Sequence, residues 1–221
     1  MTEAHGTVEA AGTAFDYAAR VEDVPVLAGG PMTVVWSLRG TPGQVALGGS
    51  RVLNRVTGFS FAGTVDGVDV ALTDPAAGAV DLGGPMGLRP VPESGLTVSL
   101  LVNQYLTVEK LRDSLPPGGS GMLSLHCHWD LVIGREAENV LGARPLPLDL
   151  TLRVPVRRDD DALADVVRER VDAVLWAGKQ DEDALTRLAA LRYPDAGRLV
   201  ADSGADPHRT AWVTASLGAS G

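Results

Sequence analysis

The segment LPLDLTLRVPV, residues 146 to 156, has the most regular pattern in the chain. Leucine or valine occupies every second position, and proline, aspartate, threonine and arginine fill the others. Successive side chains of a β-strand point to opposite faces, so this pattern predicts a strand with one buried face. Pro147 and Pro155 fall on the outward face and cannot donate a hydrogen bond to a neighbouring strand. They therefore predict a strand at a sheet edge, at least near its ends.

Further strand-like segments precede this one. Asp66-Gly67, between alternating apolar residues, predicts a tight hairpin, because the turn needs positive φ angles. The other strand-like segments cover residues 14–21, 31–40, 44–47, 58–72, 96–106 and 122–133. About seven or eight short strands separated by turn residues are typical of an antiparallel β-sandwich, here expected over residues 8–157.

The pattern changes to a helical one after residue 159. Asp159, Asp160 and Asp161 are typical residues for a helix start, and apolar residues then recur at three-to-four spacing until Gly178. A second helix is predicted over 182–192, and Pro194 and Pro207 fit the first turns of a third and a fourth. The chain is therefore predicted to be mainly β with C-terminal α: a sandwich followed by a small bundle of three or four helices over 159–218 that packs on it.

Two stretches resemble known families. GGPMTVVWSLRG (29–40), with later turn-separated strands and the turn PPGGSG (116–121), resembles bacterial immunoglobulin-like sandwiches. The segment 185–218 is similar to a HEAT-type helical repeat, whose aspartate-proline turn, arginine and small residue would be Asp206, Pro207, Arg209 and Ala211. The second resemblance implies helices that lean on the sandwich or on a partner, since so few repeats do not stand alone. Neither resemblance implies a catalytic residue.

Charge and composition exclude some functions. The 221 residues carry a net charge of −9, so the average field of the surface repels nucleic acid. The small basic group Arg153, Arg157 and Arg158 is offset by the aspartates at 159–161. One cysteine, no export signal at the start and no long apolar run predict a cytoplasmic protein that does not enter a membrane. An acidic surface would suit a basic protein partner.

The segment LSLHCHWDL, residues 123 to 131, contains the strongest chemical signal. On a strand, Cys127 and Trp129 share one face with the leucines, whereas His126, His128 and Asp130 share the other. Cys127 is therefore expected in the core. Two histidines at this spacing can bind one zinc or iron ion if a third ligand joins them. The alternative is that they are solvated or paired with side chains of a neighbouring strand.

Other candidates are explained by structure. Ser50 and Ser120 lack the glycine pattern of a nucleophile elbow, and the glycine-rich segment 81–90 lacks the residues of a phosphate loop. It belongs to a long predicted connection, 74–95, that is a candidate contact region. Trp176 and Trp212 are the candidate binding residues, because either could anchor a protein partner. Alternatively, they seal the helices to the sandwich.

We therefore expect a non-enzymatic, cytoplasmic protein-interaction module. It would be an accessory subunit, an adaptor, or a subunit of the inhibitor or immunity type. It would bind a protein partner, possibly a basic one, through the sandwich loops or the helices, without a cofactor. The alternative is a metal-dependent enzyme or small-ligand-binding protein that uses His126 and His128. The sequence leaves the oligomeric state open.

Overall fold

The computed structural model describes residues 2–10, 12–40, 46–48, 51–52, 55–56, 58–69, 89–90, 92–106, 109–134, 144–177 and 182–218. The described strands are β1 (Glu3–Ala10), β2 (Thr13–Val21), β3 (Val26–Leu27), β4 (Thr33–Gly40), β5 (Ala46–Gly48), β6 (Arg51–Val52), β7 (Arg55–Val56), β8 (Phe59–Val65), β9 (Val68–Asp69), β10 (Arg89–Pro90), β11 (Leu96–Leu101), β12 (Ser120–Gly134) and β13 (Arg144–Arg157). The helices are α1 (Glu109–Asp113), α2 (Asp160–Ala177), α3 (Glu182–Ala189), α4 (Ala196–Asp202) and α5 (Pro207–Gly218), with a 3-10 turn at Val102–Gln104. The prediction of a mainly β chain with C-terminal helices is confirmed.

Two sheets contain most of the strands. The first has the order β1-β2-β4-β11 and is antiparallel throughout. The second runs β10-β5-β12-β13-β3, and β8 also pairs with β12. Its centre is the long antiparallel pair β12 and β13, in which His128 lies opposite Asp149. Only β3, next to the end of β13, pairs in parallel among the described strands of these two sheets.

The two sheets face each other across one hydrophobic core. Trp36 of β4 and Trp129 of β12 meet with their ring centroids 5.7 Å apart, and Phe59 of β8 stacks on Trp129 at 4.5 Å. Both tryptophans are buried, as their apolar strand patterns predict. The alternating leucines and valines of β13 are buried in the same core, because their even positions all point to one face.

On the side away from β12, β13 has a largely free edge among the described strands, as its prolines predict. Its second neighbour, β3, pairs only with Val156 and Arg157. Pro147 and Pro155 have the same parity as Arg157, whose carbonyl accepts from Ala28 on the side away from β12. Both prolines therefore occupy positions whose nitrogen points to the free edge, where the missing N–H costs no ladder hydrogen bond and discourages another strand from adding there.

The first strand begins earlier than the sequence pattern predicts. β1 covers Glu3–Ala10 and pairs with β2 along its whole length, whereas 14–21 was the first predicted strand. The inward positions of β1 hold Ala4, Gly6, Val8 and Ala10, which are small and only partly buried. Alanine and glycine have low strand propensity and leave Val8 as the only strong strand former on this face, which explains the missed strand. By contrast, Asp66 and Gly67 both adopt positive φ angles between β8 and β9, so the predicted hairpin is confirmed.

The four C-terminal helices surround a second cluster of buried apolar residues. Asp159 caps α2, since its carboxylate accepts from the backbone N–H of Ala162 at 3.0 Å. Near this cap, Leu163 of α2 lies against Gly29 and Gly30, which precede β4. In the part of the chain that the structure describes, no helix is long and apolar enough to cross a membrane.

The start of α2 is also tied to α1 by charged groups. The guanidinium of Arg158 donates to the carbonyl of Leu115 at 2.9 Å and to the carboxylate of Asp160. Arg112 of α1 donates to the same carboxylate at 2.9 Å. The basic and acidic residues around position 159 therefore neutralise each other within the fold, as their order in the sequence indicates.

Candidate functional site

The residues from Leu123 to Leu131 alternate between the core and the outer face of the second sheet. Cys127 and Trp129 are buried, whereas His126 and Asp130 are exposed and His128 is partly exposed. Burial raises the pKa of the Cys127 thiol to about 12, so the thiol stays protonated and unreactive at neutral pH. The predicted core position of the cysteine is confirmed, and sulfur and imidazole groups do not converge.

The two histidines share the outer face with carboxylates from two strands. His128 contacts Asp149 of β13 through Nδ1 at 2.8 Å and Asp130 of its own strand through Nε2 at 3.0 Å. His126 contacts the same oxygen of Asp149 through Nε2 at 3.3 Å. These four side chains, His126, His128, Asp130 and Asp149, are called the histidine cluster below. The cross-strand pairing that the sequence offered as the alternative is therefore present.

The electrostatics of this cluster favour a protonated His128. Burial lowers the pKa of its imidazole, but hydrogen bonds to Asp149 and Asp130 and the charges of both carboxylates outweigh that effect. The pKa therefore lies above the ordinary value of 6.5. An imidazolium donates from both ring nitrogens, which matches the carboxylate oxygens placed beside both.

A metal ion would need a different arrangement. A histidine binds metal through the lone pair of a deprotonated nitrogen, and both nitrogens of His128 face carboxylates at hydrogen-bond distance. Among the residues that the structure describes, no group of three or more histidine, cysteine, aspartate or glutamate side chains is placed to hold a metal. Zinc or iron at His126 and His128 stays a prediction, and the geometry favours the paired alternative.

The other candidate sites either have structural roles or lie outside the described residues. Ser120 begins β12, and Asp159 caps α2. Asp206 accepts from the backbone N–H groups of His208 and Arg209 at the start of α5, again as a cap. Ser50, Asp181 and most of the predicted contact region 74–95 lie outside the described residues.

The two candidate binding tryptophans lie in different environments. Trp212 of α5 is partly buried and packs against the apolar cluster of the helices. Trp176, near the end of α2, is 83% exposed. Within the described residues, the only other exposed large hydrophobic residue is Val24, which is 43% exposed. Trp176 therefore does not seal the helices to the sheets, and its indole is available to another molecule.

The exposed side chains that share the outer face of α2 with Trp176 are mostly acidic. The buried face of α2 contains Leu163, Val167, Val171 and Val174, and at 100° per residue Trp176 lies on the opposite face. The exposed residues on that face, called the α2 outer stripe below, are Asp161, Asp165, Arg168, Glu169, Asp172, Ala173 and Trp176. Arg168, its one cation, is paired with Asp165.

The sequence pattern missed one member of the histidine cluster, Asp149. It appeared only as an outward residue of the 146–156 strand, because the pattern does not reveal which residue of a neighbouring strand lies opposite His128. The register of β12 and β13 supplies that information. The sequence indicated only weakly that Trp176 is exposed and Trp212 partly buried. The indication is that Trp176 falls off the apolar stripe of its helix.

No protein-family model matches this chain, and no curated protein matches it by sequence.

Proposed function

We propose that this protein is a non-enzymatic protein-interaction module, an accessory, adaptor or inhibitor-type subunit that works in the cytoplasm and binds its partner through the helical segment. The exposed indole of Trp176 is the observation that carries this proposal. Large aromatic side chains are costly to leave in water and are enriched at the energetic centres of protein interfaces. Trp176 contributes nothing visible to the core, so its exposure is best explained by a partner.

The chemistry of the histidine cluster supports the non-enzymatic part of the proposal. A general base needs a nitrogen that is free to accept a proton, and both nitrogens of His128 lie against carboxylates. The only thiol is buried and keeps its proton. The cluster is therefore better explained as cross-strand pairing on a solvated sheet face than as a reaction centre.

Purification of the tagged protein from an extract of its source organism tests the proposal. We expect a specific partner at moderate salt that the Trp176→Ala variant does not retain. Val24→Ala is the matched control, because Val24 is also exposed but lies in the connection between β2 and β3. Loss of the partner in both variants, or in neither, would contradict the role of Trp176.

Metal analysis by mass spectrometry tests the competing metal-site hypothesis. The wild-type protein and a variant with His126→Ala and His128→Ala should both contain far less than one equivalent of zinc or iron. Stoichiometric metal that is lost in the double variant would replace our proposal with the metal-dependent one.

We further propose that the two sheets form an immunoglobulin-like sandwich, which the sequence predicts over about residues 8–157 and which β1 extends to Glu3. The helices of 159–218 pack on it. The shared core of two antiparallel sheets supports this arrangement, as do the contacts of Leu163 with Gly29 and Gly30. Expression of residues 1–158 alone tests the boundary. A cooperative thermal transition of that fragment is expected, and an unfolded fragment would show that the helices are part of one folding unit.

A further inference from the structure

The α2 outer stripe combines an exposed aromatic residue with a row of negative charge. From the helical geometry, Asp165, Glu169 and Asp172 lie within about 40° of Trp176 around the axis of α2. The row from Asp165 to Trp176 is roughly 16 Å long at the usual rise per residue. An elongated segment of a partner could therefore contact the indole and the carboxylates together.

From this arrangement we infer that the partner presents a positively charged segment, rich in arginine or lysine, that also carries a large apolar side chain to pack on Trp176. This inference rests on the proposed function and specifies its partner. Of the charged groups on the stripe, four are carboxylates and one is the guanidinium of Arg168, already paired with Asp165. Guanidinium groups of the partner would pair with the carboxylates and also stack on the face of the indole.

Charge disfavours the other possible occupants of this surface. A symmetric pair of copies would place the same acidic row against itself, because a two-fold interface uses one patch twice. A membrane surface with anionic lipids and a nucleic acid would both be repelled by the row. A basic protein segment is the occupant for which charge and apolar contact act in the same direction.

Selection from a phage library of random twelve-residue peptides on the immobilised full-length protein tests this inference. We expect enriched peptides with a net positive charge and at least one large apolar residue. The best peptide, made synthetically, should bind the wild-type protein, and Trp176→Ala should weaken that binding by at least about tenfold.

A triple variant separates charge from apolar contact. The variant combines Asp165→Asn, Glu169→Gln and Asp172→Asn. It should bind the synthetic peptide about three- to tenfold more weakly than wild type at low salt, and this difference should shrink at high salt. The matched control neutralises Glu9, Glu93 and Asp202, which are exposed elsewhere, and should leave the dissociation constant within about twofold. Unchanged melting temperatures would confirm that all variants are folded.

Three results would overturn the inference. The first is enrichment of neutral or acidic peptides that still need Trp176, which would leave the proposed function standing. The second is no enrichment, or peptides that bind Trp176→Ala undiminished, which would count against both. The third is occupation of the α2 outer stripe by a second copy or by a lipid surface. Dimerisation in light scattering would show the former and flotation with phosphatidylcholine vesicles the latter, if Trp176→Ala abolishes it.

Discussion

The outer face of the second sheet and the outer face of α2 differ in how their side chains are satisfied. On the sheet, His128 is held between two carboxylates, and His126 contacts one of them. On the helix, a large apolar ring is 83% exposed on the same face as four carboxylates, of which Asp165 is paired with Arg168. The histidines, which looked most reactive in the sequence, are thus paired within the fold, whereas a tryptophan with no catalytic chemistry is left largely exposed. This difference is why we propose the exposed apolar surface of α2, rather than the histidines, as the binding surface.

The largest expected loss of stability follows from removing a buried tryptophan, in contrast to the exposed Trp176. Trp129→Ala removes a ring that packs on Trp36 and Phe59 between the sheets, and should lower the free energy of unfolding by about 3–5 kcal/mol. Chemical denaturation followed by circular dichroism measures this. A loss below about 1 kcal/mol would mean that the core between the sheets is not packed as described.

The next largest loss of stability is expected at Cys127, the buried residue between the two histidines. Cys127→Ser places a hydroxyl in an apolar core and should cost about 1–3 kcal/mol of unfolding free energy. The native thiol, whose pKa burial raises to about 12, should react with a disulfide reagent only after unfolding. Stoichiometric labelling of the folded protein within minutes at pH 7.5 would contradict its core position.

A smaller effect tests the histidine cluster through pH. The pKa of His128 is raised in the folded protein, so its pairing with Asp149 stabilises the fold fully below pH 6.5, the ordinary value, and this stabilisation is lost as the pH rises through the folded pKa. Asp149→Asn should therefore lower stability at pH 5.5 by up to about 1 kcal/mol relative to wild type, because the pair is partly exposed.

The difference between wild type and Asp149→Asn should shrink as the pH increases above neutrality. Glu9→Gln, on an exposed position of the first sheet, is the control. A destabilisation by Asp149→Asn that is the same at pH 5.5 and pH 9 would show that the imidazole is not the group responsible.

The smallest effect on stability is expected on the helix. Trp176→Ala should change the free energy of unfolding by no more than about 0.5 kcal/mol, because the ring is exposed. It should also remove the tryptophan emission that acrylamide quenches most readily. A destabilisation of 2 kcal/mol or more would place Trp176 in a structural contact and end the contrast with Trp129.

Much of the fold could be predicted because a strand or helix with one buried face has apolar residues at regular intervals in the sequence. The alternation in 146–156 predicted β13, and Asp66-Gly67 predicted the turn between β8 and β9. The sequence pattern did not predict β1, because most of its inward residues are small. The pairing of His128 with Asp149 could not be predicted, since it depends on the register of two strands with separate patterns. For the tryptophans the sequence contained only a weak signal, the position of Trp176 off the apolar stripe of α2, and the structure was needed to show that its ring is exposed.

Photo-crosslinking compares the two surfaces most directly. Benzoylphenylalanine would be placed at position 176 in one sample and at position 126 in another, each in the full chain and irradiated in an extract of the source organism. We predict a discrete crosslinked protein from position 176 and none from position 126. A discrete product from position 126 alone would show that the sheet face is the binding surface and would contradict our account.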